Sequence, residues 1–140
     1  MASLTADVRN KLLARATEMI GKYKYDSRGI RLPSGLPDSE DDVMDCSEFV
    51  FAVYSKAGVE GVPYLNSHGI AGSSLYEEVA EPQAGDIVYW RRGHVAIVED
   101  PVSGAFIGSQ TSTGVARSNY KTNIYWKNVE HRKFYRWRGP

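Results

Sequence analysis

The 140 residues include one cysteine, Cys46, and three histidines, His68, His94 and His131. A cysteine attacks as its thiolate and needs a base placed to take its proton. Cys46 opens the run CSEFVFAVYSKAG, which reads as a helix, so it sits where unpaired backbone N–H groups and the helix dipole favour the thiolate. Asp45 and Ser47 on either side are polar, which suits a helix start better than a packed core. Among the histidines, His94 opens the most apolar strand, HVAIVE, and a ring held by sheet backbone is what a positioned base requires. His68 in LNSHGIAGSS and His131 in VEHRKF read as exposed or structural.

An imidazole base needs a polar group to fix its tautomer and orientation. If 94–99 and 104–110 form a hairpin centred on Val102, the residue opposite His94 is Gln110, whose amide oxygen can accept from the ring N–H. A slip of one residue gives Ser109 instead, a weaker candidate. The single cysteine excludes an intramolecular disulfide and CxxC zinc arrangements, and Cys46, His68 and His94 show no ligand spacing, so neither metal nor other cofactor is expected.

These groups have to be placed by the surrounding elements. Residues 6–20 put Val8, Leu12, Ala16, Met19 and Ile20 on one helical stripe, with Thr5 as N-cap and Gly21 past the end. Tyr23 to Met44 is punctuated by glycine and proline and rich in acids, and reads as an ordered surface loop. The helix begun at Cys46 buries Phe49, Val50 and Val53 and stops at Gly58. After an irregular stretch, 59–83, come five short apolar runs at 85–90, 94–99, 104–110, 114–119 and 133–137, which read as antiparallel strands. Helices first and strands after predict a single α+β domain over 1–140, with helices on one side of a meandering sheet.

Composition narrows the partners. With 17 basic against 17 acidic residues, no chain-wide field favours nucleic acid or an anionic membrane, and the basic C-terminal run KFYRW alternates as a strand. No 18 consecutive residues are apolar, so no membrane insertion is expected. The first 21 residues hold no apolar stretch of signal-peptide length.

The phrases DCSEFVFAVYSKAGV (45–59), QAGDIVYW (83–90), GHVAIVED (93–100) and GSQTSTGVARSNY (108–120), in that order, resemble the NlpC-type cell-wall cysteine peptidases. Those enzymes are papain-like, and amidase effectors of type VI secretion systems and CHAP amidases are similar. The resemblance implies hydrolysis of an amide bond in peptidoglycan stem peptides, commonly the γ-D-glutamyl to diamino-acid bond. Cys46 would be the nucleophile, with its backbone N–H in the oxyanion site, and His94 the general base. An upstream tyrosine usually assists, and Tyr23 and Tyr25 compete for that place; with Asp45 and Ser47 they are the candidate residues on the substrate and oxyanion side. Tyr64, Trp90 and Trp126 are aromatic candidates for the groove walls, counted as packing residues.

Two departures stand out. Glu48 replaces a residue that is usually small, with an expected effect on substrate choice. Gly108 stands where a third histidine is usual, so the orienting role falls to Gln110 or is absent. Made in the cytoplasm without a leader, such an enzyme would need export, a carrier or phage lysis to act in the periplasm or cell wall. As an effector it would meet secretion machinery and an immunity protein. The alternative is a non-catalytic module on the same fold that binds cell-wall peptide or a partner protein.

Overall fold

The computed structural model describes residues 4–25 and 43–140. Thr5 starts helix α1 (Ala6–Met19): its backbone is extended and its Oγ1 accepts the Val8 N–H at 3.2 Å, removing one of the orphan donors of the first turn. Leu12, Ala16 and Met19 are buried along one side, as the stripe predicts. Gly21, at φ +78°, takes the left-handed conformation that ends the helix.

The chain then forms β1 (Lys24–Tyr25), which pairs in parallel with β2 (Val43–Met44). The rest of the segment expected to be an acidic surface loop, 26–42, lies outside the described residues. Asp45 caps α2 (Cys46–Lys56) through a capping box: its carboxylate accepts the Glu48 N–H at 2.7 Å, and Glu48 Oε1 accepts the Asp45 N–H at 2.9 Å. Gly58, at φ +83°, follows the last turn.

The stretch 59–83, expected to be irregular, contains helix α3 (Ser67–Gly72) and strand β3 (Tyr76–Val79). Six residues with two glycines give no helical period to read, and α3 is nucleated by Asn66, whose side chain accepts the Gly69 N–H at 2.7 Å. In β3 the sequence YEEV hides its strand character because two adjacent glutamates are both exposed at the sheet edge.

β4 (Ile87–Trp90), β5 (His94–Asp100), β6 (Ala105–Gln110) and β7 (Gly114–Asn119) run as an antiparallel meander. After a short 3₁₀ turn at Val129–His131, β8 (Arg132–Trp137) returns to the far side of β4 and carries β3 at the edge, giving the order β3-β8-β4-β5-β6-β7. The α+β architecture predicted from the strand runs is the one observed.

The two faces differ. Leu12, Phe49, Val53, Val95, Ile97 and Ile107 join α1 and α2 to one face. Val88, Trp90, Ala96, Val98, Phe106 and Tyr120 form a smaller cluster on the other, packed by Trp126 from the β7–β8 connection.

Asp86, fully buried at the head of β4, ties the layers together. It accepts from Arg9 of α1 at 3.0 Å, from Arg136 of β8 at 2.8 Å and from the Gln83 N–H at 2.8 Å. Next to it, Tyr54 of α2 donates to the Gly85 carbonyl at 2.5 Å. The Gly-Asp phrase is thus a structural clamp. The basic residues of the C-terminal strand are paired in two ways, Arg136 with the buried Asp86 and Lys133 at the surface with Glu78 at 3.5 Å.

Candidate active site

Cys46 is the first residue of α2, as its neighbours predict. Of the first-turn donors, the Glu48 N–H goes to the Asp45 side chain and the Phe49 N–H to the Asp45 carbonyl at 3.1 Å. The N–H groups of Cys46 and Ser47 remain directed at Sγ and favour its anion. The thiol also meets the start of β5: Sγ donates to the Gly93 carbonyl at 3.8 Å, and the Val95 N–H faces it. Gly93 makes this approach possible with a φ of +107°, which bends the chain sharply into His94.

The expectation of a thiolate at rest is corrected. Cys46 is only 6% exposed, and burial, supported by the Asp45 charge, pushes its thiol up to about 11 against those N–H groups. His94 behaves in the mirror sense. Burial, with Arg92 adding to it, pulls the imidazole down to about 4, while the Gln110 side chain acts in the opposite direction. At neutral pH the pair is therefore a neutral thiol and a neutral imidazole. Sγ uses its hydrogen bond on Gly93, the residue just before His94, rather than on the ring itself.

His94 shares its face of the sheet with Trp90 and Trp126 and stacks on Trp126 with centroids 4.7 Å apart and planes 27° apart. The carbonyl of Trp126 is held in turn by Trp90 Nε1 at 3.1 Å. Trp126, counted from sequence as packing, is thus a neighbour of His94. No local pattern marks it, because it comes from the irregular connection between β7 and β8.

The β5–β6 register pairs Ile97 with Ile107 and Val98 with Phe106 before a bulge toward Asp100, which is the register predicted from the hairpin. It separates Gln110 from Ser109. Ser109 points to the helical side, where its Oγ donates to the Met44 carbonyl at 2.9 Å and fixes the strand leading into Cys46. Gln110 lies on the face of His94, its Nε2 donating to the Ala116 carbonyl at 3.3 Å. A Cβ at Gly108 would stand 2.5 Å from Gln110 Oε1 and 2.8 Å from the Ala96 Cβ. Gly108 therefore leaves the room that the Gln110 carboxamide fills. Among the described residues His94 Nε2 and Gln110 Oε1 are both buried without a hydrogen bond of good geometry, yet the Gln110 side chain is near enough to the ring to favour its charged form.

The other candidates divide. Asp45 and Ser47 are brought to Cys46, but as its scaffold: Ser47 Oγ bonds the Asp45 carboxylate at 3.1 Å and Tyr64 Oη at 2.9 Å. Glu48 neither lines a cleft nor points to solvent; it is 3% exposed and closes the capping box. Tyr23 packs against the helical core, and its carbonyl accepts the Val115 N–H at 3.0 Å. Tyr25 pairs with Met44, two residues before Cys46, so its backbone lies beside the strand that leads into Cys46. His68 is on α3 rather than in a loop and bonds Tyr89 Oη at 2.9 Å. His131 is exposed.

A groove of about 540 Å³ opens beside His94 and Gln110, walled by Trp126 and the hydroxyl-bearing turn 111–113.

Comparison with known proteins gives one consistent result. The sequence pattern of the NlpC/P60 family matches residues 22–133. The chain is 28% identical over 121 residues to the peptidoglycan DL-endopeptidase CwlO of Bacillus licheniformis, covering 84% of this chain and 25% of that protein. It thus spans about a quarter of the length of that relative. A lipoprotein-like NLP/P60-family structure from Staphylococcus aureus superposes with a TM-score of 0.71 at 18% identity, over 99% of this chain and 44% of that one. The NlpC/P60 domain of the peptidoglycan hydrolase SagA gives 0.60 at 20% identity, over 91% and 97%.

Proposed function

Because the chain belongs to the NlpC/P60 family, we propose that it hydrolyses an amide bond in peptidoglycan stem peptides, the γ-D-glutamyl to diamino-acid bond, through a Cys46 thioester. The observation that carries this reading is Cys46 Sγ at the head of α2, 3.8 Å from the Gly93 carbonyl and so one residue from His94. A binder has no need of a thiol and an imidazole at the same strand end.

The chemistry follows from the neutral resting pair. Substrate carbonyl oxygen takes the Cys46 and Ser47 N–H groups at the helix start, the donors that would stabilise the oxyanion. As Sγ attacks, its proton passes to His94, and the Gln110 side chain, which favours the charged ring, supports the imidazolium. His94 then protonates the leaving amine, and water deprotonated by the same ring hydrolyses the thioester. Gln110 acts as the positioning residue, and Tyr25, beside Met44, is the tyrosine on the substrate side. The reaction would occur outside the cytoplasmic membrane, where the substrate lies.

The test is mass spectrometry of purified muropeptides after incubation with the wild-type chain and with Cys46→Ala. Wild type should release fragments split between D-glutamate and the diamino acid, and Cys46→Ala should release none. Intact peptides after incubation with folded wild type would favour the binding module.

A further inference from the structure

The turn that delivers His94 is Trp90-Arg91-Arg92-Gly93, and its two arginines, like Arg132 and Arg138, differ from the remaining described arginines in lacking an ion pair. Arg9 and Arg136 meet Asp86, Arg15 meets Glu18 and Arg117 meets Glu99. Arg91 and Arg92 are exposed and meet no carboxylate among the described residues, although Glu130 lines the recess next to Arg91. Arg92 is instead held in place by rings, its guanidinium 4.0 Å from the Tyr125 centroid and 5.4 Å from that of Trp126. Both arginines line one recess of about 320 Å³, with Trp90 as floor and Tyr125, Asn128 and His131 around it.

We propose that this recess is a carboxylate subsite, in which Arg91 and Arg92 take a free carboxylate of an acidic peptide bound at the Cys46–His94 centre. The inference rests on the peptide-hydrolase reading above.

Guanidinium groups match carboxylates through paired N–H donors. A guanidinium already stacked on aromatic rings loses less freedom when it binds than one free in solvent. The placement fits a substrate group close to the scissile bond, because Arg92 is two residues from the base and one from the carbonyl that holds the thiol. The wall is also shared: Tyr125 and Trp126 border the groove beside His94, and Tyr125 borders this recess. A carboxylate seated on Arg92 would offset the positive charge that opposes protonation of His94, so binding the correct substrate would also ease the proton transfer from Cys46.

Two arms test the subsite. In the first, kcat/KM is measured for a stem tetrapeptide with free carboxylates and for the same peptide with those carboxylates amidated. Wild type should prefer the free acid by roughly tenfold or more, and in Arg91→Gln/Arg92→Gln the preference should collapse to within about twofold. In the second, the free-acid peptide is titrated against Cys46→Ala protein by calorimetry, with and without the two glutamine changes, which should weaken binding by roughly tenfold. The inference is overturned if the preference survives in the double variant, if the amidated peptide is favoured by wild type, or if binding in the second arm is unchanged. Loss of binding in the second arm with no turnover in the first would keep the subsite and reject the hydrolase reading.

Discussion

The two faces of the six-stranded sheet hold the two halves of the site in different ways. On the helical face Cys46 is fixed by short-range features: the capping box, the Ser47 bond to Asp45 and the Ser109 anchor on Met44. On the opposite face His94 is fixed by long-range packing, stacked on Trp126 and lying beside Gln110. They meet only at the strand end, where the Gly93 turn brings the backbone round to the thiol. The cysteine half is thus a local structure and the histidine half a tertiary one, and the two groups proposed to react are held by independent supports.

That contrast can be broken most severely at Cys46, the proposed nucleophile. Cys46→Ala should lower hydrolysis by about 10³-fold or more with little change in melting temperature, measured by muropeptide turnover alongside thermal unfolding. A rate within tenfold of wild type would remove Cys46 from the chemistry.

Next is the clamp that joins the faces. Asp86→Ala leaves Arg9 and Arg136 facing a buried site without their carboxylate, and should cost about 3–5 kcal/mol in denaturant unfolding. A loss below 1 kcal/mol would mean the layers are joined mainly by apolar contacts.

The third prediction separates the halves by pH. His94 has a folded pKa near 4 against 6.5 unfolded, so the unfolded chain takes up a proton first as pH falls. Stability is full above about 6.5 and declines as pH drops to about 4, by roughly 3 kcal/mol from this residue. Cys46, raised to about 11, has the opposite sign: its contribution is present below about 9 and is lost as pH rises to about 11. Unfolding free energies from pH 4 to 10 in wild type, His94→Ala and Cys46→Ala should show the acid slope weakened only in the first variant and the alkaline slope only in the second.

Gln110→Ala should reduce kcat by about tenfold with KM nearly constant, and Gln110→Glu should restore part of the loss by accepting from the imidazolium. A change confined to KM would make Gln110 a substrate contact. The smallest effect belongs to the cap. Glu48→Ala should cost about 1 kcal/mol of stability and leave specificity among stem peptides unchanged, which would confirm a structural role for a residue whose position suggested substrate choice.

The difference between the faces also explains what the sequence made legible. Thr5, Asp45 and Gly58 are local signals, and the two main helices fall where those residues place them. The meander is legible because turn residues separate alternating strands, and the Ile97↔Ile107 register follows from one hairpin. Short elements with mixed composition, α3 and β3, are hidden because their formation depends on neighbours distant in sequence. The charge state of Cys46 is hidden for the same reason: position at a helix start is a local fact, whereas the burial that outweighs it is set by the whole fold. Trp126 and the exposed Arg91 and Arg92 carry no local mark and emerge only once β8 has brought the 121–131 connection back across the turn.

The most direct test of the central claim is to trap the acyl-enzyme. Wild-type protein mixed with a stem tetrapeptide, quenched in acid during turnover and digested, should give a Cys46 peptide heavier by the acyl fragment on the glutamyl side of the bond, and Cys46→Ala should give no adduct and no product. Product formation by Cys46→Ala, or an adduct on any residue other than Cys46, would contradict the account.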